Sequence, residues 1–330
     1  MLRRAFIATS MAAALACTLA PAAQAQGLRE INFGIISTEQ TANLKQDWQP
    51  LLDDMQKRTG IKVNAFFASD YAGIIEGMRF NKVQVAWYGN KAAMEAVDRA
   101  SGEIFAQFVA SDGAPGYWSL LIAHKDSPYN SLEDVLKNGK SINFGIGDPN
   151  STSGFLVPSY YVFALNKVDP RTLFKTVRAA NHETNLLAVI NKQVDVATNN
   201  TENWDKFAVR YPERIKDLKV LWKSPLIPSD PLVYRRDLPE ETKQKVREFL
   251  FSYGSGADAT REKAILNKLQ AAKFQASSNR QLIPIRQLEL FRERVKLEAD
   301  DKMAEADRRA KLAEVNGKLA ELDRQLSTSR

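Results

Sequence analysis

Three consecutive hydroxyl residues, Ser151, Thr152 and Ser153, stand where a predicted strand gives way to a predicted helix. The apolar run at 141–146 predicts the strand. Ser and Thr are preferred helix N-caps, and the free N–H groups of a first helical turn attract anions. The segment 147–158 contains no lysine or arginine. It therefore predicts either reversible oxyanion binding by neutral donors or simple helix capping.

Other polar and aromatic side chains recur at predicted strand-to-helix junctions. Taken one at a time, each has a structural explanation: half-buried packing for a tyrosine, capping for His182, or an acid favoured by the helix dipole for Glu202. Their common position is what makes them candidates for one site. The set is Tyr71, Tyr88, Tyr117, His182, Glu202 and Asp230.

The elements that would position these residues alternate between strand and helix. This alternation predicts the α/β class, with mainly parallel sheets covered by helices. Strands are predicted at 31–36, 61–67, 83–88, 104–110, 117–124, 141–146, near 176–177, 194–198 and 218–222. Helices are predicted at 42–58, from Asp70, and at 90–99, 132–137, 155–165, 183–192 and 202–210.

Two breaks interrupt the alternation, one at 112–116 and one, with three prolines, at 223–231. They predict two lobes joined by two crossings. The first lobe would comprise residues 26–112 and 231–285, and the second lobe, with both crossings, residues 113–230. Ligands prefer clefts between lobes and the carboxyl ends of parallel strands. The three hydroxyl residues occupy such a strand end.

The chain from 286 to 330 is rich in helix formers and predicts a long C-terminal helix. An apolar stripe with spacings of three and four suggests a short coiled coil. Two interpretations are open: a helix packed on its own lobe, or a homodimer contact. The stripe consists of Leu312, Val315, Leu319, Leu322 and Leu326.

Residues 1–25 have the pattern of a secretory signal peptide. A basic start at Arg3 and Arg4 precedes a short apolar run, and Ala23-Gln24-Ala25 has the small-x-small pattern of a cleavage site. This segment would direct export of the chain to the periplasm and would then be removed, so that the mature chain starts at Gln26. Cys17 raises the alternative of a lipid anchor, but the residues before it make a poor lipoprotein box.

Composition excludes several other classes. Cys17 is the only cysteine, so the mature chain would have no disulfides and no cysteine-ligated metal. Loss of Arg3 and Arg4 lowers the formal net charge from +7 to +5, and the charges are interspersed rather than gathered into a nucleic-acid-binding patch. No later segment is long and apolar enough to span a membrane. No cofactor is predicted.

Eight separate runs, in order, resemble the periplasmic phosphonate-binding subunit of bacterial phosphonate ABC importers. The resemblance extends from about Asn32 to about Leu290 and weakens in the terminal helix. The runs are Asn32 to Glu39, Asp70 to Ile75, Ala86 to Asn90, Gly116 to Ser119, Gly147 to Pro158, His182 to Asn185, Asp195 to Asn203 and Lys223 to Pro228.

The resemblance implies a two-lobed periplasmic binding protein of type II, which captures a phosphonate such as 2-aminoethylphosphonate and delivers it to a membrane permease. It implies that two acids, Glu202 and Asp230, bind the ligand's amino group. It also implies a set of residues around the phosphonate group, with Tyr88 as a further candidate. That set is Ser151, Thr152, Ser153, Tyr71, Tyr117 and His182.

Two alternatives remain at this stage. One is a binding protein for another oxyanion, phosphate or phosphite. The other is an exported hydrolase with Ser151 or Ser153 as nucleophile and His182 as base. The hydrolase is disfavoured because the stretch has no Gly-x-Ser-x-Gly elbow, and because the chain has only two histidines.

Overall fold

A computed structural model describes residues 27–327. The predicted signal peptide and Cys17 lie outside these residues. Among the described residues, no helix has the length and apolar character needed to cross a membrane. The strands are β1 Glu30–Ile35, β2 Lys62–Phe66, β3 Val85–Trp87, β4 Gly102–Ala110, β5 Gly116–Tyr117, β6 Ser119–His124, β7 Asn143–Ile146, β8 Thr176–Ala179, β9 Val196–Asn200, β10 Leu218–Lys223, β11 Ile227–Pro228, β12 Pro231–Arg235 and β13 Ala271–Ala276.

Helices alternate with strands in both lobes, as the sequence pattern predicts. Short 3-10 turns and two π-helical segments, Thr152–Leu156 and Ser159–Ala164, complete the helical structure. The α-helices are α1 Thr41–Thr59, α2 Tyr71–Arg79, α3 Asn90–Arg99, α4 Leu132–Lys137, α5 Pro170–Leu173, α6 His182–Ile190, α7 Thr201–Arg210, α8 Glu240–Ser252, α9 Ala259–Lys268, α10 Ile283–Glu298 and α11 Glu305–Ser327.

The strands of residues 27–327 form two main sheets. The first has the order β13-β4-β12-β3-β1-β2 and the second the order β10-β6-β9-β7-β8. Four of the six strands run in one direction in the first sheet, as do four of the five in the second. Strands β6 and β12 are antiparallel to their neighbours because each enters its sheet from a crossing. The architecture is the predicted two-lobed α/β fold.

The two crossings pair with each other. Strands β5 and β11 form a separate antiparallel pair, with Tyr117 opposite Ile227 and Gly116 opposite Pro228. A Cβ at Gly116 would lie 1.9 Å from the Ile227 carbonyl oxygen, so this close approach requires glycine. The sheets assign the strands of 30–110 and 231–276 to one layer and those of 119–223 to the other. We propose the predicted lobe boundaries on this basis.

The helix after β7 begins earlier than predicted. Ser151 is its N-cap, and the Ser151 hydroxyl oxygen accepts a hydrogen bond from Gly154 N at 2.9 Å. The helix then widens into the two π-helical segments. Such segments are rare and recur at functional sites. The three hydroxyl residues therefore occupy the N-cap and the first turn of an atypical helix.

Aromatic packing beneath the first sheet fixes the side chains that face the second. Trp48 of α1 packs against Phe33, with ring centroids 5.5 Å apart, and against Trp87, at 5.2 Å. Phe108 meets both indoles edge-on. Aromatic pairs at these distances contribute roughly 0.5–1.5 kcal/mol beyond the burial of their area. The positions of the two tryptophans are thus set by the core.

The C-terminal helix predicted for 286–330 is two helices, α10 and α11, rather than one. The Asp300 carboxylate accepts hydrogen bonds from Lys302 N at 3.0 Å and from Met303 N at 3.1 Å. This local turn competes with helix continuation and separates the two helices. Val315 and Leu319 of the apolar stripe are buried against Leu297 of α10. The stripe therefore packs within its own chain.

Candidate functional site

One cavity lies between the lobes and brings together eight of the nine predicted site residues. Its walls come from the end of β1, the start of α2, the helix after β7, the starts of α6 and α7, and the second crossing. Seven of the eight residues are at most 6% exposed, and the eighth, Glu202, is half-buried. The eight are Tyr71, Tyr117, Ser151, Thr152, Ser153, His182, Glu202 and Asp230.

Tyr88 is not among the residues that line this cavity. Its side chain is fully buried, and its hydroxyl donates to the Ile74 carbonyl oxygen at 2.9 Å. Successive side chains of a strand point to opposite faces, and the preceding residue, Trp87, lines the cavity instead. The prediction for Tyr88 was therefore wrong by one position.

We call Ser151, Thr152 and Ser153 the hydroxyl cup, and two of them, Ser151 and Ser153, lie against the imidazole of His182. His182 Nε2 lies 3.3 Å from Ser151 Oγ and 3.5 Å from Ser153 Oγ. Asn200 Nδ2 donates to Ser153 Oγ at 3.0 Å and lies 3.3 Å from the same Nε2. Burial lowers the pKa of His182 to about 4. The cup is therefore built from neutral groups at physiological pH.

The first lobe contacts the cup directly. Thr152 Oγ1 accepts a hydrogen bond from Lys91 N, at the start of α3, at 2.8 Å. Tyr71 N, at the start of α2, donates to Asp148 Oδ2 at 3.3 Å. The Tyr71 hydroxyl also lies within hydrogen-bonding reach of Ser151. The lobes are thus closed onto each other around the cup.

Glu202 and Asp230, hereafter the acid pair, form the acidic end of the cavity. Tyr117 Oη donates to Asp230 Oδ1 at 2.9 Å. Burial raises the pKa of Glu202 to about 7. Burial, followed by the charge of Glu202, raises the pKa of Asp230 well above its usual range. Two buried carboxylates whose pKa values are raised in this way are stabilised by a cation placed beside them.

Lys206 is the one lysine or arginine among the described residues that line the cavity. It lies one turn after Glu202 on α7, and its Nζ is 3.3 Å from Glu39 Oε1 of the first lobe. Its Nζ also sits 5.9 Å from the centre of the Trp87 ring. The charge of Lys206 partly offsets the rise in the pKa of Glu202 and of Asp230, while its ammonium group is paired with Glu39.

Several lining residues were not predicted as site residues. Trp48, Trp87 and Asn203 lie inside helices or strands, and Thr38 and Gln270 lie between elements. Eight buried side-chain nitrogen or oxygen atoms in residues 27–327 have no hydrogen-bond partner, and six of them belong to residues of this cavity. Buried polar atoms are normally satisfied, so this concentration marks a site for polar ligand or water. The six are Thr38 Oγ1, Trp48 Nε1, Trp87 Nε1, His182 Nδ1, Asn203 Oδ1 and Gln270 Oε1.

The composition of the site is that of a binding site for a small polar molecule. Within residues 27–327, no group of three or more histidine, cysteine, aspartate or glutamate side chains is arranged to hold a metal ion. A serine nucleophile would need a histidine oriented by a further hydrogen-bonded group. The other ring nitrogen of His182, Nδ1, has no partner among the described residues.

The closed lobes, the paired crossings and a cavity lined by the hydroxyl cup define a class, the two-lobed solute-binding proteins. A family model described as "ABC transporter, phosphonate, periplasmic substrate-binding protein" matches residues 33–282. The chain belongs to this family of periplasmic phosphonate-binding components of ABC transporters. Such proteins bind substrates for a membrane permease and are not enzymes.

Similar proteins agree with this assignment. The chain is 57% identical over 310 residues to the phosphonates-binding periplasmic protein of Escherichia coli K12, covering 94% of this chain and 90% of that protein. A crystal structure of a binding-protein component of a phosphonate ABC transporter from Pseudomonas aeruginosa is 58% identical. It superposes with a TM-score of 0.89 over 91% of this chain and 99% of its own.

A more distant relative is named for a different oxyanion. The chain is 33% identical over 214 residues to a phosphate-import protein of Mycolicibacterium smegmatis. That similarity covers 62% of this chain and 65% of the relative. The family assignment therefore rests on the family model and on the two proteins that match over nearly the whole chain.

Proposed function

We propose that the protein captures an amino-phosphonate of the size of 2-aminoethylphosphonate. The observation that supports this most directly is the polarity of the cavity. One end has the hydroxyl cup and a neutral His182, and the other has the acid pair. A ligand with a phosphonate group and an ammonium group separated by a short carbon chain matches both ends.

The cup suits a phosphonate because it offers donors without fixed charge. The hydroxyl groups, the free N–H groups of the helix start and the Tyr71 hydroxyl together surround the space beside His182. Hydrogen bonds to a charged group contribute about 1.5–3 kcal/mol each. Because none of these groups carries a positive charge, binding does not depend on an ion pair, and release to a permease stays feasible.

The acid pair suits an ammonium group because burial destabilises the charged form of both carboxylates. A cation beside Glu202 and Asp230 would offset this burial, and at Asp230 it would also offset the repulsion from Glu202. Inorganic phosphate has no such group and would leave the two acids buried and uncompensated. The pair should therefore select an aminated phosphonate over phosphate.

Capture requires no covalent step. An open form would present the cup on the second lobe, and ligand would shift the population to the closed form through the β5–β11 crossing. The closed form would then deliver the phosphonate to its permease.

Calorimetry on the purified protein, freed of bound ligand, tests this proposal. We expect tight binding of 2-aminoethylphosphonate, weaker binding of ethylphosphonate and the weakest binding of phosphate. Equal affinity for all three would show that the acid pair plays no part in recognition. Absence of heat with any of them would contradict the proposed ligand class.

Phosphate or phosphite is the second candidate, favoured by the relative named for phosphate import. Under this alternative the acid pair would be protonated and would not contact the ligand. Retention of full phosphate affinity after the double change Glu202→Gln and Asp230→Asn would support it.

Two further features belong to the proposal. We propose that residues 1–25 direct export and are removed, which the mass of the mature N-terminus in the periplasmic fraction would test. The homodimer suggested by the C-terminal stripe has less support than the intramolecular alternative, because Val315 and Leu319 are already covered by α10. Sedimentation velocity would distinguish a monomer from a dimer.

A further inference from the structure

Two buried carboxylates, Glu39 and Glu183, each reach from one lobe into the other. Glu39 follows β1 in the first lobe, and Glu183 lies in the first turn of α6 in the second lobe. Both residues are 2% exposed. Their carboxylates bond to groups of the opposite lobe rather than to the hydroxyl cup or the acid pair, so their burial needs its own explanation.

Glu183 serves as the N-terminal cap of a helix in the opposite lobe. The residue at the N-cap position of α1, Gln40, makes no side-chain capping bond. Instead, Glu183 Oε2 accepts a hydrogen bond from Gln40 N at 2.7 Å, and its Oε1 accepts one from Asn43 Nδ2 at 2.9 Å. A carboxylate is also favoured at this end of α1 by the helix dipole.

Glu39 makes the reciprocal contact. Its Oε2 accepts from Arg210 Nη1 of α7 at 2.7 Å, and its Oε1 lies 3.3 Å from Lys206 Nζ. Asp47 of α1 adds a second carboxylate, 3.1 Å from Arg210 Nη2. Ion pairs with one side chain this deeply buried are screened much less than surface pairs.

We infer that Glu183 is a positioning residue that retains the ligand by holding the lobes closed, with Glu39 and Arg210 as the reciprocal half of the same latch. This inference rests on the proposed function. Glu183 directly follows His182, so one short backbone segment carries both a wall of the cup and the latch. Opening the lobes must break these contacts, whereas ligand entry into an open form does not involve them.

The latch should therefore act on ligand dissociation rather than on association. Its bonds form after the ligand has entered. Removing the Glu183 carboxylate should raise the dissociation rate by roughly tenfold, as expected for lost hydrogen bonds to a charged group. The association rate should change by less than about twofold.

Stopped-flow fluorescence with 2-aminoethylphosphonate tests this on Glu183→Ala and Glu183→Gln. The glutamine retains one acceptor oxygen, so its dissociation rate should fall between those of Glu183→Ala and the wild type. Thr184→Ala is the matched control, because Thr184 is the exposed neighbour on the same helix. An unchanged dissociation rate in Glu183→Ala, or an equal change in Thr184→Ala, would overturn the latch.

A second measurement judges the latch in the closed form. Hydrogen exchange of the peptide that spans residues 36–47 should be faster in ligand-saturated Glu183→Ala than in ligand-saturated Thr184→Ala, because Gln40 N loses its acceptor. Equal exchange in the two saturated variants would overturn the latch. Failure of the wild type to bind any phosphonate would overturn the proposed function separately, and exchange at saturating phosphate would then decide the latch.

Discussion

The Tyr117 hydroxyl donates its hydrogen bond to Asp230 Oδ1 at 2.9 Å, and the two residues stand on different crossings between the lobes. Tyr117 belongs to β5, and Asp230 follows β11, the strand paired with β5. A phenol has one proton to donate. Once that proton is committed to Asp230, the hydroxyl offers a ligand only lone pairs, which suit an ammonium group. We therefore propose that Tyr117 belongs to the acidic end rather than to the predicted phosphonate set.

Tyr117→Phe distinguishes the two assignments of this residue. We expect affinity for 2-aminoethylphosphonate to fall by about tenfold, because Asp230 loses a stabilising donor and the ammonium loses an acceptor. Affinity for ethylphosphonate should stay within about twofold. Calorimetry with both ligands gives the answer. Equal losses for both would return Tyr117 to the phosphonate end.

Thr152→Val tests the contact between the cup and the first lobe. The change removes the acceptor for Lys91 N, a buried bond of 2.8 Å, and an unsatisfied buried donor costs about 1–3 kcal/mol. Affinities for ethylphosphonate and 2-aminoethylphosphonate should fall together, with their ratio unchanged. Thr152→Ser retains the hydroxyl and should bind nearly as the wild type does. A change in the ratio would contradict the separation of the two ends.

The preference for an amino group should depend on pH. Burial raises the pKa of Glu202 to about 7, so its carboxylate is mostly ionised only above that pH. Binding of an ammonium group requires the ionised form and should strengthen as the pH rises. The ratio of 2-aminoethylphosphonate to ethylphosphonate affinity should grow by about tenfold from pH 6 to pH 8, because one proton is released on binding.

Glu202→Gln is the control for this pH series, because the ammonium group makes the phosphonate of 2-aminoethylphosphonate titrate at a lower pH than that of ethylphosphonate, and this difference is the same in both proteins. Titrations at pH 6, 7 and 8 in Glu202→Gln should show a ratio that varies much less. If the ratio of the two affinities in the wild type does not change with pH, or falls as the pH rises, Glu202 is not the group that binds the ammonium.

Stability should depend on pH through His182. Burial lowers its pKa to about 4, below the ordinary value of 6.5, so the unfolded chain binds the extra proton first as the pH falls. The stability from a neutral His182 is therefore complete above about pH 6.5 and lost as the pH falls toward 4. The loss amounts to about 3 kcal/mol in the free energy of unfolding.

Urea unfolding at pH 7.5 and pH 4.5 measures this dependence in the wild type and in His182→Gln. Glutamine stays neutral, so the variant should lose less stability over the same range. His124→Gln is the matched control, because His124 is the only other histidine and lies outside the cavity. A wild-type loss equal to that of His182→Gln would contradict the assignment.

Local sequence patterns were sufficient for most of the fold before the second crossing. Most strands there have their own apolar run, and several helices have their own cap, such as Asp70, whose carboxylate accepts from Gly73 N at 2.8 Å. The elements after Asp230 were not resolved from sequence. Strand β12 pairs with β3 and β4, which lie more than a hundred residues earlier, so its place depends on long-range pairing.

The site shows the same division. The hydroxyl cup and the acid pair were found because they stand at strand ends, where the resemblance and the physics agree. Whether Trp87 or Tyr88 lines the cavity depends on which face of β3 points into the cleft. The alternation of side chains along a strand does not determine which face that is. The Glu183 cap on α1 was missed because a helix without its own cap gives no sign of which distant residue supplies one.

The central claim is that Glu202 and Asp230 bind the ligand's amino group. It is tested most directly by the ratio of 2-aminoethylphosphonate to ethylphosphonate affinity in the double variant Glu202→Gln, Asp230→Asn. We predict that the ratio falls to near one in this variant and stays at its wild-type value in Glu213→Gln, which neutralises an exposed acid just beyond the end of the same helix. A wild-type ratio in the double variant would contradict the claim.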